Sequence, residues 1–548
     1  MNTPILLITA ILLPLAGAVV LLLVGSRDRR VVRPIALIVT LTTLVAAGVL
    51  VANFPADGHL AEPFAASETS WLGAMSGMDV RFSVALDGLS LWLFALSALL
   101  MVSAVLVSWE AIHDRAASFY GMLLLLECGC LGVFAARDII LFYVFFEFTL
   151  IPLFFLIGIW GSEQRRYAAI KFFLFTLAGS VLTFLGLLAI VIWVFHATGQ
   201  LTFAFESIEQ GLAEHPLPSV WQLWIFLALF AGFAIKVPLF PLHTWLPLAH
   251  VQAPTAGSVI LAGILLKIGT YGFVRFNLPM LPDATAVCAP WMMWLSVAGI
   301  IYGALVALAQ SDIKRLIAYS SVSHLGFCML GLFALNQLGL QGSVLQMINH
   351  GISTGGLFAI VGMMYERYHT RQINELGGIA RRTPVLAMFM LVFTLSSIGL
   401  PGMNGFAGEF LILAGAFQRG WATAPEPLAG QLQIISVLAV AGVVLGAWYM
   451  LWLVQRVFFG PLSEPTHDAD APPIRDLSFR EVAALAPLVV FIFWIGLQPG
   501  FFVDRIGPTL APIATRLETQ LQLKHGVPER VAVETKYPMT TYSLTNNK

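Results

Sequence analysis

The chain has 548 residues, 58% of them hydrophobic and 11% charged, with a formal net charge of −1. Soluble domains carry about 25% charged residues, so this composition excludes a soluble protein, and the near-neutral balance gives no case for nucleic acid. The four cysteines, Cys128, Cys130, Cys288 and Cys328, show no haem, iron–sulfur or zinc spacing, so no redox centre, cofactor or metal site is expected in the chain itself.

Taken in chain order, the first apolar run is 4–25, and its arginines (Arg27, Arg29, Arg30, Arg33) follow it. A cleavable signal carries its positive charge before the apolar run, so this reads as a retained helix. A second run covers 32–53. The loop 54–87 leans acidic through Asp57, Glu62, Glu68 and Asp79. Runs at 88–109, 117–136, 138–160 and 168–196 come next. A second acidic loop, 197–218, holds Glu206, Glu209 and Glu214. The remaining runs are 219–240, 254–276, 290–309, 315–335, 343–364, 384–416, 432–458 and 482–503. Each is long enough to span a bilayer, which makes about fourteen spans. The chain then turns polar.

Loop charge tests the count. Basic loops fall at 26–33, 165–171, 314–315 and 367–382. With fourteen spans all four lie on one side and both acidic loops on the other. The positive-inside rule places the basic side inside and both termini outside.

Two spans are interrupted. Span 7 contains Lys236-Val-Pro238-Leu-Phe-Pro241-Leu-His243, and span 12 contains Gly399-Leu-Pro401-Gly402-Met-Asn-Gly405-Phe-Ala-Gly408-Glu409. Proline removes a backbone donor and glycine loosens the turn. Breaks at corresponding positions of two halves mark inverted-repeat transporters. A second echo has the same offset: Arg137-Asp138-Ile139 opens span 5, and Ser311-Asp312-Ile313 opens span 10. The expected fold is an all-α polytopic membrane protein with two inverted five-helix repeats. Its segments are 1–116 (three helices), 117–276 (first repeat), 290–458 (second repeat), 459–503 (a loop and the last helix) and 504–548 (a polar external tail).

Six ionisable residues sit inside these runs: Glu147, Lys236, Lys267, His324, His350 and Glu409. A charge at the bilayer centre costs roughly 2.5–3.5 kcal/mol even on the lenient insertion scale, so such residues mark ion pathways. Mixed signs on several helices suit proton movement better than the binding of one substrate. Lys236 needs a buried counter-charge, and Glu147 is the natural candidate, which makes the two an ion-pair switch. Lys267 is mid-helix with no acid on its own helix. His324 follows Ser320, Ser321 and Ser323, and His350 follows Asn349; histidine titrates in the range a relay needs. Glu409 serves either as a terminal proton group or as the cap of a half-helix. Glu127 is a further buried acid. Asp87 and Asp138 read as caps or loop anchors, and Lys314 and Arg315 as interface anchors.

Several stretches carry a family likeness. They are Phe146-Glu147; Lys236-Val-Pro238 with Pro241-Leu-His243-Thr-Trp245-Leu-Pro247; Ala249-His250 with Ala253-Pro-Thr255-Ala-Gly-Ser258; Leu261-Ala-Gly-Ile-Leu-Leu-Lys267; Asp312 to His324; and Pro401 with Gly408-Glu409-Phe410. In these the chain resembles the antiporter-like subunits of respiratory complex I. Glutamate at 409, where sibling subunits and sodium/proton antiporter chains usually carry lysine, sorts it within them.

The resemblance implies a fourteen-helix proton-translocating subunit of NADH–quinone oxidoreductase. It implies a coupling pair (Glu147, Lys236), a central channel lysine (Lys267), two relay histidines (His324, His350) and a distal residue (Glu409). FMN, iron–sulfur clusters, NADH and quinone would belong to the whole complex. The partners would be neighbouring membrane subunits and the lipid bilayer, in a bacterial plasma membrane. A multi-chain sodium/proton antiporter and an energy-converting hydrogenase share the fold and are the alternatives.

Overall fold

A computed structural model describes residues 2–25, 29–60, 62–72, 78–423, 428–465 and 474–525. The first three spans are α1 (Thr3–Val24), α2 (Arg29–Asn53) and α3 (Ser90–Ala111). Then come α4 (Ala116–Ala135), α5 (Ile139–Trp160) and α6 (Arg165–Thr198). A short amphipathic helix, α7 (Phe205–Glu214), occupies the second acidic loop. Span 7 is split into α8 (Ser219–Lys236) and α9 (Trp245–Gln252). Spans 8 to 11 are α10 (Thr255–Met280), α11 (Pro282–Leu308), α12 (Ile313–Phe333) and α13 (Gln337–Tyr368). Span 12 is split into α14 (Pro384–Ser397) and α15 (Asn404–Gln418). The last spans are α16 (Leu428–Phe458) and α17 (Phe479–Leu497), and α18 (Gly500–His525) follows. Thirteen of these helices are long and apolar enough to cross a membrane, and the broken span 12 makes the expected fourteenth.

Both breaks fall at the motifs that foretold them. Helix α8 stops at Lys236, just before Pro238 and Pro241, and resumes at Trp245. In span 12, Gly399 and Gly402 take φ of 71° and 89°, which L side chains avoid.

The two halves also show the inversion directly. Asp138 caps α5, accepting from the amides of Ile140 and Leu141, and its backbone pairs with Ala204. Asp312 caps α12, accepting from the Arg315 amide, and its backbone pairs with Gln372. One lies on the side of loop 54–87 and the other on the side of the basic loops. We call these the hairpin face and the basic face.

The hairpin face earns its name from a feature not expected of loop 54–87. Strands β1 (Phe64–Ser70) and β2 (Arg81–Leu86) pair antiparallel. Arg81 binds Glu68 and also Asp79, the latter at 2.5 Å, so the acidic residues serve to close the hairpin.

A second correction concerns the tail. The polar tail expected over 504–548 is helical up to His525, and the rest lies outside the described residues. Ile506, Leu510, Leu517 and Leu521 are buried. Their spacing of three to four residues gives one apolar face, which a polar average conceals. Helix α18 lies against α13 and α11. It is held by Gly88 N–H to Thr509 Oγ1 at 3.0 Å, Gln337 Nε2 to the Gly507 carbonyl at 3.1 Å, and Gln520 to Asp283.

The central stretches of helices α10 and α13 are buried throughout. Helix α10 winds into π-helical turns at Leu261–Leu265 and Phe273–Asn277, on either side of Lys267. Single π turns recur at functional sites because each frees backbone groups from the α ladder. Where α10 crosses α13, glycine faces glycine. A Cβ on Gly351 would stand 2.7 Å from the Gly263 carbonyl oxygen and 2.6 Å from Leu96 Cδ2. This close approach brings Lys267 and His350 together. Gly351→Val is therefore expected to cost about 1–3 kcal/mol through overpacking, read as a lower unfolding temperature of the purified protein.

Candidate functional site

The buried polar residues form one continuous axis. Lys267 has no exposed surface. Its Nζ meets His350 Nδ1 at 2.6 Å and donates to the Ala262 carbonyl, one of those loosened by the first π turn. The rings of His350 and His324 have centroids 5.7 Å apart. His324 Nδ1 lies 3.3 Å from Glu409 Oε1, and its Nε2 lies 3.2 Å from Ser397 Oγ at the break of span 12. Four of the six expected residues, from four different helices, thus line up in contact order: Lys267, His350, His324, Glu409.

A set of neutral polar side chains frames this line. Gln346 donates to Glu409 at 3.2 Å, and Asn349 donates to the Gln346 side chain at 3.3 Å and to the Asn404 carbonyl at 2.7 Å. Ser396 donates to Asn404 Oδ1 at 2.5 Å and pairs with Ser353 at 2.6 Å. Between the histidines is a small polar cavity lined by both rings and by Asn349, Ser353 and Ser397. The Nε2 of His350 is buried with no hydrogen-bond partner. Apart from Asn349, and Asn404 within the span 12 motif, sequence reading missed these residues, and the signal was a run of them on one helix: Gln346, Asn349, Ser353 and Thr354 around His350.

The expected Glu147–Lys236 contact is not made. No Lys236 nitrogen lies within 4.0 Å of a Glu147 oxygen. Lys236 Nζ instead sits over the Phe146 ring, 4.3 Å from its centroid. The cause is helical phase. Phe142 and Phe146, one turn apart and 5.6 Å between centroids, present the face that Lys236 meets. Glu147 is turned about 100° from Phe146, is only half-buried, and keeps its Oε1 without a partner.

One other expectation changes. Lys314 is not an interface anchor. It is buried and donates to the Ala253 carbonyl at 2.6 Å, closing the corner between α9 and α10. Nearby, His250 is fully buried, stacked on Phe358 at 4.4 Å, with both ring nitrogens unpartnered among the described residues. Glu127 is equally buried, and neither carboxyl oxygen has a partner.

Asp87 does act as an anchor. It caps α3 through the amides of Leu89 and Ser90, and it accepts from Arg275 at 2.7 Å and Arg137 at 3.0 Å. Arg137 also binds Glu206 of α7 at 2.6 Å. Burial alone would raise the Asp87 carboxyl, but the Arg275 and Arg137 guanidiniums hold it well below the usual carboxylate range. The cluster joins α3, α5, α7 and α10 on the hairpin face.

Asp87→Asn leaves Arg275 buried without its counter-charge and is expected to cost about 3–5 kcal/mol. Thermal unfolding of the purified protein checks it. With a depressed folded value, the stabilisation is present above the unfolded aspartate range near about 3.9 and is lost only as pH falls through the folded value. The wild-type contribution therefore stays flat from about pH 5 to 8.

Comparisons with known proteins agree on the frame. A sequence model of the family described as NADH:quinone oxidoreductase/Mrp antiporter, transmembrane, matches residues 136–425. NADH-quinone oxidoreductase subunit M of Rhodobacter capsulatus is 40% identical over 521 residues, covering 93% of this chain and 96% of the relative. A chain in respiratory complex I from Thermus thermophilus with bound NADH superposes with a TM-score of 0.80 at 33% identity, covering 94% of this chain and 99% of that one. A chain of the Mrp complex from Dietzia has a TM-score of 0.77 at 20% identity, covering 95% and 99%, and shares the fold alone.

Proposed function

The chain belongs to the NADH:quinone oxidoreductase/Mrp antiporter membrane family, on its subunit M branch, and from that premise we propose how its buried axis moves a proton. It is a membrane-arm subunit of NADH–quinone oxidoreductase, the complex that couples NADH oxidation and quinone reduction to proton translocation. The sodium/proton antiporter and other antiporter-like assemblies are more distant matches.

In our reading the redox chemistry, with FMN, iron–sulfur clusters, NADH and quinone, belongs to other chains of the complex. This chain carries only protons. Lys267 holds the proton at the centre. His350 takes it at Nδ1 and passes one on from Nε2, since an imidazole exchanges protons at both nitrogens. The polar cavity bridges to His324, and Glu409 receives the proton at the break of span 12. The observation that carries this reading is the unbroken contact order of four titratable groups inside a wholly buried core.

Glu147 and Lys236 act as the gate. With the pair apart, as here, Lys236 keeps an uncompensated charge that disfavours a second one on Lys267 and pushes the proton toward His350. With the pair closed, Lys267 takes up a new proton from the basic face. The redox chains supply the energy by shifting this equilibrium. We place the basic face inside a bacterial plasma membrane and both termini outside, as the loop charges require.

The test uses the assembled complex in sealed vesicles, with NADH oxidation and proton uptake measured together. Lys267→Ala and Glu147→Gln are expected to lower proton uptake roughly a hundredfold, the size of a lost positioned proton-transfer group, with assembly intact. Normal pumping in both assembled variants sinks the reading. Sodium-dependent transport without NADH turns it toward antiport.

A further inference from the structure

Away from the proton axis, helices α2 and α17 each pack on α3 but leave a gap between them. The gap is an apolar groove of about 440 Å³ with a floor of Leu96, Ile348 and Ile352. Its volume falls in the range of ligand pockets, roughly 300–1,000 Å³. The wall at Gly48 is open, since a Cβ there would meet nothing within 4 Å. Ile352 lies fifteen residues along α13 from Gln337 at the hairpin face. At 1.5 Å per residue that is roughly 22 Å, so the deep end of the groove lies about halfway along this 32-residue helix.

The mouth of the groove is chemically different from its floor. Arg505, at the start of α18, is the only charged residue lining it. Arg505 is 8% exposed, with its guanidinium stacked 3.9 Å from the Phe501 centroid and one nitrogen donating to the Phe501 carbonyl at 2.7 Å. Its Nε has no partner, and no carboxylate oxygen lies within 4.0 Å of its nitrogens among the described residues. Trp92, 5% exposed, also lines the groove, and its Nε1 has no partner either. Two buried donors thus lack acceptors at the membrane-interface end of an apolar slot. A buried donor without an acceptor is costly. An isoprenoid tail alone would leave both unsatisfied.

We propose that this groove is a binding site for a glycerophospholipid of the hairpin-side leaflet. Its phosphodiester sits on Arg505, an ester oxygen accepts from Trp92 Nε1, and one acyl chain runs down to Ile348 and Ile352. Guanidinium and phosphate are matched for charge-assisted hydrogen bonding. The site also bears on the proton axis. Ile348 and Ile352 are one helical turn apart, two residues either side of His350, so they occupy the face opposite it. The acyl chain completes an apolar wall behind His350 and keeps water from reaching it from that side.

The experiment places the intact complex in nanodiscs containing phosphatidylglycerol with a photoreactive acyl chain. After irradiation, labelled peptides of this chain are mapped by mass spectrometry. In the wild type, labels are expected to concentrate on residues 92–99 and 348–352. Labelling there should fall about tenfold when Arg505→Gln removes the charge-assisted contact, and should also fall in Gly48→Phe, which fills the groove without touching Arg505. Assembly of the complex should persist in both. Absence of groove labelling in the wild type would mean that a neighbouring subunit fills the gap, and would overturn the proposal. So would labelling spread evenly over the lipid-facing helices, or groove labelling unchanged by both substitutions.

Discussion

The structure turns on one fully buried lysine that no carboxylate contacts among the described residues. Lys267 Nζ is satisfied only by neutral acceptors, the Ala262 carbonyl and His350 Nδ1. Much of the molecule serves that contact. The π turn loosens the carbonyl from the helix ladder. The Gly263–Gly351 crossing brings α13 close enough for His350 to reach. The packing of α3 on both helices fixes the crossing. A carboxylate at this point would trap the ammonium; a neutral imidazole holds it loosely and can itself take the proton.

The inverted repeat explains why the rest of the site is arranged around it. Each half contributes a broken span, and each break ends with a titratable group nearby: Lys236 in one, Glu409 in the other. In the second half Glu409 is linked to the central lysine through His324 and His350, whereas Lys236 of the first half lies over the Phe146 ring. The residue near the corresponding break thus differs in sign between the two halves.

Much of this was legible in the sequence, and for identifiable reasons. Spans announce themselves by apolar length, and breaks by Pro238, Pro241, Gly399 and Gly402. Ionisable residues stand out against an apolar run because the bilayer penalises them. Helical phase was not legible, since adjacent residues such as Phe146 and Glu147 point about 100° apart and the sequence does not say which meets Lys236. The π turns left no mark in composition. The amide Gln346 carries no charge to draw notice. Lys314 sits in a short basic loop and reads as a surface charge, yet tertiary packing buries it. The amphipathic face of α18 was present at helical spacing, hidden within a segment that is polar on average.

Helix α18 has a mechanical consequence. It is tied to the loop before α3 through Thr509, to the start of α13 through Gly507, and to the start of α11 through Gln520. These anchors belong to the opening helices and to the second half of the chain. A transporter that works by tilting one bundle against another would have to stretch or slide this tie bar on every cycle. Helix α18 thus braces the opening helices against the second half. None of these three hydrogen bonds reaches a broken span, so the brace leaves the segments around Lys236 and Glu409 untied.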